Sequence, residues 1–130
     1  MSIVVGYLAT LEGRAALDAA VQESSSRKDR VVVVVSTRPD EPAEQRHDLD
    51  VALDSVHREL ETAGVDHEIR VLVGGDVAED LLSTAEETKA RLVVIGLRRR
   101  SPVGKLILGV NAQRVLFDAP CPVLTVKPDV

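Results

Sequence analysis

The chain has 130 residues, 45% apolar and 28% charged, ordinary values for one globular domain with a core of its own. Its net charge of −5 argues against nucleic acid as a partner, and no apolar run approaches the ~20 residues that span a bilayer. Tyr7 and Phe117 are the only aromatic residues. The core must therefore be built from Val, Leu, Ile and Ala, and a binding site lacks the platforms on which flavins and single-stranded bases stack.

Five short apolar runs predict strands, at 3–7, 31–35, 69–73, 92–95 and Val123–Val126. Several are continuous Val/Ile runs, the pattern of strands buried on both faces of a parallel sheet. Helical patterns fill the gaps. Ala15, Ala16, Ala19 and Ala20 make a small-residue face in the first. Residues 37–48, rich in Pro, Asp, Glu and Arg, read as a solvated loop leading to the second, whose stripe is Leu49, Leu53, Val56 and Leu60. The third carries Ala78, Leu81, Leu82 and Ala85 and opens with Asp76 as N-cap and Glu79 as its capping-box partner. The fourth carries Ala112, Val115, Leu116 and Ala119 and stops at Pro120. The order βαβαβαβαβ predicts a doubly wound α/β domain over 1–130, with helices on both faces of a parallel sheet. Ligands in such sheets bind beyond the carboxyl ends of the strands, so the ends of strands one and four carry the interest.

The segment after strand four holds the chemistry. Arg98, Arg99, Arg100 and Lys105 place four positive charges within eight residues, so the rest of the chain carries −9. A basic loop on an acidic body suits one small anion. The loop starts at Gly96 and ends at Gly109, just before a helix. Backbone N–H groups and the helix dipole favour a phosphate there, and arginines add bidentate contacts.

These residues resemble the universal stress protein family. Its nucleotide-binding members carry a glycine, two residues, a second glycine, nine residues, and a third glycine followed by Ser or Thr. Gly96 and Gly109 match the first and third glycines; Arg99 occupies the second, and Val110 stands where the hydroxyl belongs, followed by Asn111. The ending Ala119-Pro120-Cys121-Pro122-Val123-Leu124 and the helix opening Gly75-Asp76-Val77-Ala78 are similar to family signatures. At the end of strand one, Gly6-Tyr7-Leu8-Ala9-Thr10 puts Leu8 where nucleotide binders have aspartate, while Thr10 keeps a hydroxyl.

The resemblance implies a Rossmann-like sheet of the adenine nucleotide alpha hydrolase type, with strand order 3-2-1-4-5. It implies a non-enzymatic regulator that takes ATP or AMP, with the base near Gly6, Tyr7, Leu8, Val35 and Ser36 and phosphate at Arg98, Arg99, Gly109, Val110 and Asn111. It also implies a homodimer formed through Val123–Val126. Arg99 either obstructs the phosphate or holds it. The departures at Leu8, Arg99 and Val110 point equally to a member that works by dimerisation and protein contacts without nucleotide. No Ser-His-Asp order, catalytic carboxylate pair or Walker sequence is present.

Gly6 reads as a turn glycine. Cys121, the single cysteine, reads as a packed residue, and with no basic region at the start a cytoplasmic location is expected. His47, His57 and His67, spaced by ten, read as scattered surface residues with no metal site.

Overall fold

The computed structural model describes residues 1–7, 11–97 and 110–128, with Leu11 and Val110 described by their backbone. The elements run β1 (Ser2–Gly6), α1 (Leu11–Arg27), β2 (Arg30–Thr37), α2 (Ala43–Thr62), β3 (His67–Val73), α3 (Val77–Glu87), β4 (Ala90–Gly96), α4 (Val110–Asp118) and β5 (Val123–Val126). The strands form one five-stranded parallel sheet in the order β3-β2-β1-β4-β5, as expected.

The continuous apolar runs exist because both faces are covered. Alternate residues point to opposite faces. Ile3, Val5, Val31, Val33, Val35, Leu92 and Val94 pack under α1 and α2, against Ala16, Leu17, Ala20, Leu53, Val56 and Leu60. Val4, Val32, Val34, Val93 and Ile95 pack against Ala78, Leu81 and Ala85 of α3 and Val115 of α4. At ~1.5–3 kcal/mol for each fully buried aliphatic side chain, these two layers dominate stability.

Three sequence readings are corrected. Helix α2 starts at Ala43, so half of the expected loop is helical; Pro42 takes the N-cap position with φ −57°, and a run of helix formers follows it. Asp76 does cap α3, accepting from the Ala78 amide at 3.0 Å. Glu79 does not complete a capping box: it turns to Arg114 of α4 at 2.8 Å, and the same guanidinium holds Asp76 at 2.6 Å. Leu116, assigned to the apolar stripe of α4, is exposed at 39%, because a nine-residue helix resting on α3 buries mainly Val115.

Candidate functional site

The strand order reverses at β1. The chain leaves β1 towards β2 on one side, and β4 joins β1 from the other, so a crevice opens between the carboxyl ends of β1 and β4. The register aligns Val5 with Val94 across it. Both loops of interest, after Gly6–Tyr7 and after Gly96–Leu97, leave from this crevice.

Gly96 forms the β4 wall. A Cβ on it would stand 2.2 Å from the carbonyl oxygen of Glu12 and 2.7 Å from its carbonyl carbon. The first turn of α1 therefore sits on the backbone of β4, and glycine is what permits the approach. Glu12 is the acidic residue of that turn, where the helix dipole favours it. A phosphate entering the crevice would depend on the positive loop for its counter-charge.

Gly6 forms the β1 wall. It is not a turn glycine: it ends a strand, and its φ lies outside the positive range occupied by Gly64 and Gly74. The space beside it is taken by the tip of Leu81, which would lie 3.3 Å from a Cβ on this residue. Tyr7 continues the line by donating its amide to the carbonyl of Val34 at 3.0 Å. Its ring turns inward and packs in the α1/α2 core. Burial is the main cause that pushes the phenol above its ordinary value; Arg14 nearby pulls it down and Glu59 up.

At the end of β2 the two expected residues behave differently. The Val35 side chain is buried in the α1/α2 core, so only its backbone reaches the strand end. Ser36 faces α3 and donates its hydroxyl to Asp80 at 2.7 Å. This leaves the Ser36 oxygen as an acceptor at the strand's end. Asp80 is itself buried, and Gly75 makes room for it: a Cβ there would lie 2.6 Å from a carboxylate oxygen. Sequence reasoning missed Asp80. The available signal was a carboxylate four residues before Thr84 on the stripe that α3 buries.

Asn111 is exposed in the first turn of α4, and Val110 opens that helix. Leu8, Thr10, Arg98, Arg99 and Gly109 lie outside the described residues. Cys121 is half-buried against the α3/α4 core, and burial raises its thiol above the ordinary value, the behaviour of a packed residue. The histidines depart from the expectation: His57 and His67 meet ring to ring.

The model of the universal stress protein family matches residues 1–127. The chain belongs to the universal stress protein family. It is 43% identical over 126 residues to a universal stress protein of Mycolicibacterium smegmatis, covering 97% of both chains. Among solved structures it is similar to a universal stress protein from Archaeoglobus fulgidus, with a TM-score of 0.82 and 31% identity over 98% of each chain. It is also similar to a universal stress protein from the same organism in complex with dAMP, with a TM-score of 0.78 and 26% identity over 98% of each chain. Among the described residues no helix is long and apolar enough to cross a membrane.

Proposed function

We propose that this universal stress protein is a non-enzymatic regulatory module that binds an adenine nucleotide, ATP or AMP, in the crevice between β1 and β4. The observation that carries the reading is the crevice itself. The strand-order reversal places it, the backbone of Gly96 packs beside it against the first turn of α1, and the arginine-rich segment follows Leu97 in the chain. The similar Archaeoglobus fulgidus protein in complex with dAMP supports the same class of ligand. In this reading Ser36, held by Asp80, offers an acceptor to the base or sugar, and Arg98 and Arg99 supply the phosphate charge.

Calorimetry with ATP, ADP and AMP tests the proposal. Saturable binding of an adenine nucleotide is expected. Arg99→Gly is expected to weaken it by roughly 10- to 150-fold, the loss of one charge-assisted hydrogen bond at ~1.5–3 kcal/mol. Tighter binding in Arg99→Gly would make that arginine an obstruction and end its phosphate role. No binding at millimolar nucleotide would sink the nucleotide reading and leave dimerisation and protein contacts as the activity. Nucleotide turnover above background with added Mg²⁺ would overturn the non-enzymatic part.

A further inference from the structure

At the opposite edge of the sheet, α2 hands the chain to β3 through a tight reversal. The amide of Val65 donates to the carbonyl of Leu60 at 3.0 Å, and that of Gly64 to Glu61 at 3.1 Å. Gly64 adopts φ +71°. This is the Schellman ending of a helix, which needs a left-handed residue after the cap. It folds the first residue of β3, His67, back against the last turns of α2. His57 and Glu61, four apart, share the helix side that His67 meets.

The two imidazoles are set edge to edge. His57 Nδ1 lies 2.8 Å from His67 Nε2, with ring centroids 4.9 Å apart and planes tilted by 57°. The outer nitrogen of each ring is also accounted for. His67 Nδ1 lies 2.9 Å from the carbonyl of Val65. A carbonyl only accepts, so that nitrogen carries the hydrogen, and Nε2 of the neutral ring is a bare lone pair aimed at His57. His57 Nε2 lies 3.8 Å from Glu61 Oε1. A neutral His57 that donated from Nδ1 would point its other lone pair at that carboxylate. Hydrogens on both outer nitrogens, with a proton or a metal ion between the inner two, suit every partner.

We propose that His57 Nδ1 and His67 Nε2 bind a divalent ion of the zinc class, with Glu61 drawn to the outer N–H of His57 when the ion is bound. Imidazole nitrogens suit zinc and its late first-row neighbours rather than magnesium or calcium. Zinc–nitrogen bonds of ~2.0–2.1 Å at a tetrahedral angle bring two nitrogens to roughly 3.3 Å, so the pair needs to open by only about half an ångström. The Val65 carbonyl on the outer nitrogen of His67 is the support that a ligating histidine ordinarily has, and Glu61 stands 3.8 Å from the outer nitrogen of His57. The ligand atoms of His57, Glu61 and His67 all lie within 4.8 Å of one another. The three line one hollow with Asp66 and Glu68, whose carboxylates pair with Arg30 and Arg70, so the two imidazoles are the hollow's donors to the ion. His57 and Glu61 are exposed, so water fills the remaining positions and the ion has open access.

Titration with zinc chloride, followed by calorimetry in a non-coordinating buffer, tests this. One zinc per chain is expected. His57→Ala and His67→Ala should each lose at least tenfold in affinity, and Glu61→Gln about tenfold, the lower end of the ~10–100-fold effect of an outer partner. His47→Ala and Cys121→Ser should bind as the parent does. Zinc should raise the melting temperature of the parent but not of His67→Ala, since an ion that clips α2 to β3 stabilises only the folded chain. Far-ultraviolet circular dichroism confirms that the variants fold. Parent affinity no tighter than that of the His57→Ala/His67→Ala double variant would reduce the pair to a hydrogen bond and overturn the proposal. So would zinc binding abolished by Cys121→Ser.

Discussion

Tyr7 shows how one residue can belong to a site by its backbone and to the core by its side chain. Its amide extends the sheet to the crevice, while its ring is 7% exposed among Ala16, Leu17, Val35 and Leu53. Because burial raises the phenol above its ordinary 10.0, the neutral form is favoured in the folded state more than in the unfolded one. The sign follows from linkage: the stabilisation is complete below about pH 10 and is lost as pH rises from there through the folded value. The chain has one tyrosine and no tryptophan, so phenolate absorbance reads this group alone. The native protein should titrate above 10.0, and stability should fall in that alkaline window. Tyr7→Phe should remove the tyrosine's share of the fall. A midpoint at or below 10.0 would contradict the buried placement.

Where elements meet, the two crevice glycines separate by what lies beside them. At Gly96 an added methyl meets the backbone of α1, which cannot give without moving the helix; at Gly6 it meets the tip of Leu81, which can rotate. Gly96→Ala should therefore cost about 1–3 kcal/mol, the range for overpacking a rigid contact. Gly6→Ala should stay within about 1 kcal/mol by the same rule for a yielding contact. Denaturant unfolding of the two variants checks this, and equal losses would refute the distinction.

The same logic explains what is legible in the sequence. The strands are visible there because burial on both sheet faces fills them with continuous apolar residues, and the stripe of α2 because burial of one helix side forces a period on it. Residues 43–48 are hidden because the charged composition of a solvated helix equals that of a loop. Glu79 misleads because its partner, Arg114, is 35 positions away. The His57–His67 meeting is invisible because no helical period predicts it; the reversal at Gly64 creates it. The candidate site's location follows from topology, but its Ser36–Asp80 bond depends on the facing of β2 against α3, which sequence does not announce.

At the scale of the molecule, an open sheet has two edges, and this one treats them differently. The β3 edge carries His67, Glu68 and Arg70, and Glu68 bonds Arg70 and Arg30. Such charges discourage another strand from pairing. The β5 edge reads Val-Leu-Thr-Val with no charge, and each of its residues is only half-buried. From this asymmetry we propose that a second copy pairs at β5, as the family resemblance implies. The ladder identifies the groups available to it. Val93 and Leu97 donate to the carbonyls of Pro122 and Val126. In a parallel pair both backbone groups of a residue point the same way and alternate along the strand, so residues 122, 124 and 126 face β4 while 123 and 125 face outward. Thr125→Pro then deletes an outward donor and leaves the β4 ladder whole, a position where an edge strand tolerates proline. Light scattering should report a dimer for the parent and a monomer for Thr125→Pro, with the far-ultraviolet spectrum unchanged. A parent that is monomeric at high concentration would end the dimer proposal. A dimer that persists in Thr125→Pro would move the contact from the strand's backbone to another surface.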